Sequence, residues 1–204
     1  MENAAQPTQV PKTSKGEATK ARLVASALST FHTQGYRGTG VNQLLSESGV
    51  PRGSLYFHFP GGKEEIASAA IAEARDQIGA GIDLAFAMAP DIGGALHLIV
   101  DGFAGVLEQS DFARGCPVTT VALEADRDTP LLSETCAGTY ADWRQRLTTH
   151  LLTAGIAPAR APRLATFALS AIEGALILAR AERSRAPLDD AVAELELLFQ
   201  TSKP

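Results

Sequence analysis

The spacing of apolar side chains along the chain follows the turns of helices. Between residues 17 and 34 the apolar positions recur every three or four residues, at Ala21, Val24, Ala27, Leu28 and Phe31. Similar spacing returns along most of the remaining chain, and no segment alternates as a half-buried strand does. The pattern predicts an all-α fold of about nine helices.

Glycine and proline mark where these helices begin and end. Gly35 and Gly49 follow apolar runs, as residues just past a helix end commonly do, whereas Pro51, Pro117 and Pro130 suit the first turn of the next helix. The predicted helices cover approximately residues 17–34, 41–48, 51–59, 63–88, 92–109, 116–125, 130–153, 161–184 and 187–199.

The second and third predicted helices are short and are joined by a turn at Gly49, which is the arrangement of a helix-turn-helix. Leu55 and Phe59 are four residues apart and are predicted to face inward. The rest of the third helix then points outward as a candidate major-groove reader, with the DNA-binding candidates Pro51, Arg52, Gly53, Ser54, Tyr56, Phe57 and His58.

Each of these outward side chains has a chemistry that DNA can use. Arg52 and Ser54 can bond to a base edge or a phosphate, and Phe57 can contact a thymine methyl. Tyr56 has the length to reach a phosphate. Lys63, beside the free N–H groups that begin the fourth helix, predicts a further phosphate site. The alternative is that Tyr56 and His58 pack within the three-helix core and that Lys63 is a solvated surface charge.

The charge distribution supports this division of the chain. The whole chain has a net charge of −5, but residues 1–63 carry seven basic and three acidic side chains. A basic N-terminal third on an acidic body is typical of a protein in which one small domain meets phosphates. We therefore expect a disordered tail over 1–16, a DNA-binding domain over 17–62, and a second domain over 63–204.

Other classes of protein are less favoured by the sequence. The polar N-terminus is not a signal peptide, and no uninterrupted apolar run approaches the roughly 18 residues of a membrane span, so a cytoplasmic location with no membrane partner is expected. The four histidines are scattered, and no phosphate-binding, dinucleotide or metal motif is present. No enzyme activity, cofactor or metal is predicted.

The motif from Gly35-Tyr36 through Thr39-Gly40-Val41 to Gly49-Val50-Pro51-Arg52-Gly53-Ser54-Leu55-Tyr56-Phe57-His58-Phe59 resembles the DNA-binding domain of the TetR/AcrR family of regulators. The resemblance covers about residues 18–70. Gly40 departs from it, because the family usually has Ser or Thr there as the cap of the second helix. Thr39 is then the better candidate for that phosphate contact.

The second half of the chain resembles the LmrA/YxaF-like branch of the same family, through residues 114–125, 59–63 and 172–181. This resemblance implies a transcriptional repressor that binds a pseudo-palindromic operator in double-stranded DNA and is released by a small hydrophobic or aromatic effector. It also implies a homodimer formed by the last two long helices. The apolar face of 161–184 could equally be monomer core.

Candidate ligand-binding residues combine apolar or aromatic side chains with a few polar groups, as small-molecule pockets do. They are Phe86, Phe103, Phe112, Cys116, Thr120, Trp143, Phe167 and Glu173. The alternative for most of them is a place in the core. Cys116 and Cys136 also leave open a redox-sensing or metal-sensing regulator, because thiol reactivity depends on surroundings that a sequence does not contain.

Overall fold

The computed structural model describes residues 15–202, and within that range every regular element is a helix, which confirms the all-α prediction. The nine helices are α1 (Lys15–Gly38), α2 (Val41–Ser48), α3 (Arg52–His58), α4 (Lys63–Met88), α5 (Ile92–Gln109), α6 (Pro117–Ala122), α7 (Pro130–Thr153), α8 (Ala161–Glu182) and α9 (Ala186–Gln200). Most of the predicted tail, residues 1–14, lies outside the described residues, and α1 already includes Lys15 and Gly16.

Helix α1 is broken at Gly35 and does not end there. Gly35 has φ 70° and ψ −173°, a conformation that side-chain-bearing residues rarely adopt, and the last turn continues from Tyr36 to Gly38. Gly49 ends α2 in the left-handed region at φ 63°, as expected for the helix-turn-helix turn. Helix α6 stops at Ala122, three residues earlier than predicted.

The first three helices surround a small apolar core. Phe31 of α1, Leu44 of α2, and Leu55 with Phe59 are all buried, which confirms the inward pair predicted for the third helix. In α1 the buried residue near the start is Leu23 and not Ala21, which is exposed. Buried Ile66 in the first turn of α4 joins this core, so the predicted boundary at 62/63 falls between two helices that share apolar contacts.

The remaining helices form a second, larger bundle. Helix α4 lies along α7, α7 along α8, and α9 packs between α5 and α8, while α6 lies against α1. Trp143 and Leu147 of α7 are central to this larger core.

Helix α8 is long and apolar enough to cross a membrane by length and composition alone. Core helices of soluble proteins pass the same test, and Glu173 interrupts this one. Its buried residues, among them Leu164, Ile172 and Leu176, pack inside the protein.

Candidate nucleic-acid interface and adjoining cavity

Helix α3 presents an apolar inner face and an unusual outer face. Phe57 is 80% exposed and Tyr56 is 47% exposed, although aromatic side chains of this size are ordinarily covered. Pro51, Arg52 and Gly53 are exposed as well, whereas Ser54 and His58 are half-buried. All seven residues are therefore at least partly accessible, and their contact with DNA stays a prediction.

The start of α3 is held in place by local bonds. Pro51 is the N-cap residue, and its carbonyl accepts the N–H groups of Ser54 (2.9 Å) and Leu55 (3.2 Å). The Arg52 guanidinium donates to the side-chain carbonyl of Asn42 on α2. Asn42 is exposed beside Arg52 and was not among the predicted DNA contacts. The sequence signal that could have identified it is a polar residue in the first turn of α2, directly after the inward Val41.

The predicted phosphate contact of Thr39 at the start of α2 is contradicted by the structure. Its side chain is fully buried, its hydroxyl donates to the Gly35 carbonyl at 2.7 Å, and its N–H donates to the Tyr36 carbonyl at 3.2 Å. Because the hydroxyl is already bonded inside the fold, it is not available to DNA. Thr39 instead ties the broken end of α1 to the start of α2.

Lys63 begins α4 but is folded back onto the protein. Its Nζ lies 4.2 Å from the centroid of the Tyr36 ring, a cation–π contact. Burial lowers the pKa of Lys63, and the negative charge of Glu124 opposes that shift.

The N-terminus of α4 is also less free than the sequence suggested. The Gly61 N–H donates to the Glu65 carboxylate at 2.8 Å, so a side chain of the same helix already occupies one of the expected anion-binding amides. Glu64 points the other way and accepts the N–H groups of Leu131 (2.9 Å) and Leu132 (3.2 Å), which caps α7. A phosphate at Lys63 would have to draw the ammonium away from the Tyr36 ring.

A cavity with a volume of about 630 Å³ lies between α1, α6 and α8. Four of the eight predicted ligand-binding residues line it, namely Phe112, Cys116, Thr120 and Glu173. Phe103 lies instead on two smaller cavities, of about 280 and 200 Å³, next to α4 and α5.

The other three candidates do not line the large cavity. Trp143 is 1% exposed, and its Nε1–H donates to the Arg75 carbonyl at 3.0 Å, so it belongs to the core. Phe167 is 56% exposed on the outer side of α8. Phe86 stacks on His150 with ring centroids 4.4 Å apart, between α4 and α7.

A network of polar groups stands at the end of the cavity where α6 begins. The Thr119 hydroxyl lies 2.5 Å from the Glu173 carboxylate, to which it donates, and 2.7 Å from the Tyr140 hydroxyl. Burial raises the pKa of Glu173, while the bonds from Thr119 and Cys116 oppose that shift. Thr119 and Tyr140 were not among the predicted residues, because they lie 21 residues apart on different helices and have no local signal.

The cysteines are both buried and free. Burial raises the pKa of Cys116 well above its ordinary value, with Glu173 adding to the effect, and raises the pKa of Cys136 to about 11. A reactive cysteine needs a lowered pKa, so this environment is the opposite of an activated thiol. No group of three His, Cys, Asp or Glu residues suited to a metal occurs within residues 15–202.

The cavity adjoins the helix-turn-helix through a series of contacts between α6 and α1. His32 Nδ1 lies 2.7 Å from the Gly115 carbonyl, and the Gly115 N–H donates to the His32 carbonyl at 3.2 Å. Arg180, at the cavity wall, donates to the Thr33 carbonyl at 3.2 Å. Beyond the other end of α6, the Arg37 N–H donates to the Glu124 carboxylate at 2.6 Å.

Two parts of the chain match models of known protein families. Residues 23–70 match the family model for bacterial regulatory proteins of the tetR family, and residues 93–194 match that for the C-terminal domain of LmrA/YxaF-like transcriptional regulators.

Among individual proteins, the chain is 31% identical to the HTH-type transcriptional regulator LmrA of Bacillus subtilis, over 82% of this chain and 89% of that protein. It is 32% identical to an HTH-type regulator of Mycobacterium tuberculosis, over 90% and 95% of the two chains. The crystal structure of a TetR transcriptional regulator from Chloroflexus aurantiacus superposes with a TM-score of 0.74 at 29% identity, covering 93% and 97%.

Proposed function

Because the chain belongs to the TetR family of bacterial transcriptional regulators, with an LmrA/YxaF-like C-terminal domain, we propose that it is a ligand-responsive repressor. The family binds operator DNA. In our proposal this member binds a pseudo-palindromic operator as a homodimer in the cytoplasm and leaves it when a small hydrophobic or aromatic effector enters the cavity beside α6.

The exposed face of α3 is the observation that carries the DNA-binding part of the proposal. Phe57 and Tyr56 gain little from facing water, whereas a major groove offers thymine methyl groups and phosphates. The Arg52 guanidinium, positioned by Asn42, stands at the end of α3 that enters a groove first in helix-turn-helix proteins. We propose that Arg52, Ser54 and Phe57 contact base edges. Tyr56 and Lys63 would contact phosphates and so fix the position of α3 along the DNA.

Exposed apolar residues on the last two long helices support the homodimer. Phe167, Ile177 and Leu178 of α8 and Leu197 of α9 are each more than half exposed. Covering them with the same helices of a second copy would bury apolar area at about 25 cal/mol per Å². A dimer would also place two α3 helices in successive major grooves, about 34–36 Å apart.

The cavity beside α6 supports the effector part. Its lining combines apolar side chains such as Phe112, Leu176 and Ile177 with a few polar groups, and its wall includes helix α1 of the DNA-binding region. An occupant that binds better to a different arrangement of α1 and α6 would shift the dimer away from its operator-binding form.

A footprinting experiment tests the proposal. The full-length protein is expected to protect a pseudo-palindromic segment in the DNA upstream of its own gene, and an aromatic compound that binds the protein is expected to remove the protection. Absence of a footprint at moderate salt would contradict the repressor function.

A further inference from the structure

Glu124 lines the cavity and also contacts the DNA-binding region. It follows the last turn of α6 and lines the cavity. Its carboxylate reaches α1, where Oε2 accepts the Arg37 N–H at 2.6 Å. The side chain of Arg37 also forms an ion pair with Asp126.

The Glu124 carboxylate lies against the backbone of α1 at Gly35. A Cβ added at Gly35 would lie 2.5 Å from Glu124 Oε1, closer than atoms of this kind approach one another. Glu124 therefore occupies the space that a side chain at residue 35 would need. Arg37 lies two residues past the break in α1 at Gly35, and its N–H is capped by the Glu124 carboxylate.

The segment capped by Glu124 positions groups near the proposed DNA surface. Tyr36 packs against Phe31 at a centroid distance of 6.3 Å and carries the Lys63 ammonium on its ring. Thr39 bonds back to Gly35 and leads into α2. A change in the position of the Gly35 backbone would move Tyr36, Lys63 and the start of α2 together.

The ionisable groups of the cavity wall are predominantly acidic. Glu124 and Glu173 line the cavity, and within residues 15–202 neither forms an ion pair with a basic side chain. Arg180 is the basic residue of the lining, and its guanidinium donates to the Thr33 carbonyl. The Lys63 ammonium acts on Glu124 electrostatically but lies on the Tyr36 ring. Among the lining residues themselves, two carboxylates stand against one guanidinium, and this excess of acidic groups favours a positively charged occupant.

Resting on the proposed function, we propose that the effector is an aromatic or hydrophobic amine whose cationic nitrogen binds the Glu124 carboxylate and thereby releases the broken end of α1. An ammonium brings a full positive charge to its bond with the Glu124 carboxylate, whereas the Arg37 amide brings only a dipole. The amine therefore displaces the Arg37 N–H from Glu124, while Phe112, Leu176 and Ile177 cover its apolar part.

Three probes of matched shape test the ligand class on the full-length protein. They are 9-(aminomethyl)anthracene, 9-anthracenemethanol and 9-anthracenecarboxylic acid, which are cationic, neutral and anionic at pH 7. The amine is expected to bind about tenfold or more tightly than the alcohol, the equivalent of one charge-assisted hydrogen bond, and the acid most weakly. Equal binding of the amine and the alcohol, or no binding of the amine, would overturn the assignment.

Two variants at Glu124 distinguish a role in coupling amine binding to operator release from a purely structural role as the cap of α1. Glu124→Gln keeps an oxygen for the Arg37 N–H but removes the charge, so operator affinity should stay within a few-fold while amine binding and amine-induced release are lost. Glu124→Ala removes the cap, so operator affinity should fall, without any ligand, to the level of the amine-saturated wild type. Glu108→Gln, at an exposed position on α5, is the control and should behave as wild type.

The outcomes distinguish this inference from the function on which it rests. A wild-type protein that binds no operator contradicts the proposed function. Operator binding that the amine still releases in Glu124→Gln, by the same factor as in wild type, leaves the proposed function intact and overturns the role of Glu124.

Discussion

Replacing Gly35 by alanine tests how the two halves of the chain are joined. Gly35 combines a positive φ with a carboxylate from a residue 89 positions later in the chain, packed against its backbone. Alanine would have to adopt this backbone conformation and also displace the Glu124 side chain. Both consequences lower the stability of the folded state.

The size of the effect follows from these two contributions. A residue with a side chain held in such a sparsely populated region costs of order 1–3 kcal/mol. Losing the half-exposed hydrogen bond between Glu124 and the Arg37 N–H costs about 1 kcal/mol more. Gly35→Ala should therefore lower the free energy of unfolding by about 2–4 kcal/mol, which corresponds to roughly 5–15 °C in Tm for a chain of this length.

Urea unfolding at matched protein concentration measures this change, because an oligomer's stability depends on concentration. Gly138→Ala is the control, since a Cβ there meets nothing within 4 Å and the residue lies inside α7, where alanine should stabilise by about 0.5–1 kcal/mol. In a Glu124→Ala background the cost of Gly35→Ala should shrink, because the clash is gone. Equal effects of Gly35→Ala and Gly138→Ala would refute the reasoning.

Three further predictions concern DNA, thiols and assembly. Lys63→Ala should weaken operator binding and reduce the slope of log affinity against log salt by about one, as measured by fluorescence anisotropy; an unchanged slope would remove Lys63 from the phosphate contacts. Cys116 and Cys136 should react slowly with a thiol reagent at pH 8 in the native protein and fast in denaturant, because their raised pKa values keep them protonated until the pH rises well above 8. Rapid native labelling would revive the redox alternative. Phe167→Asp should convert the dimer to a monomer in analytical ultracentrifugation, and an unchanged mass would place the interface elsewhere.

The helices were largely predictable because their signals are local. Gly49 ends α2 and Pro130 begins α7 through their backbone chemistry alone. Leu55 and Phe59, four residues apart, identify the inner face of α3. The phosphate contact predicted for Thr39 was wrong because the position of this residue depends on a feature that is not local. Its burial depends on α1 continuing past Gly35, so that the Gly35 carbonyl comes within reach of the hydroxyl, and this continuation has no local signature.

Only four of the eight predicted ligand-binding residues line the cavity, because helices far away in the sequence determine whether an aromatic side chain is buried. Trp143 and Phe167 lie in similar helical patterns, yet the first is enclosed by the core and the second faces outward. The contacts between Thr119 and Tyr140, and between Glu124 and Gly35, join separate helices and became visible only in the fold.

Specific DNA binding is the central claim, and one titration tests it most directly. The affinity of the wild-type protein for a labelled fragment from upstream of its own gene is compared, at two salt concentrations, with its affinity for a shuffled fragment of equal composition. We predict a preference of about 10³-fold or more for the natural fragment and weaker binding at the higher salt. Equal affinity for the two fragments, or no binding to either, would contradict the account.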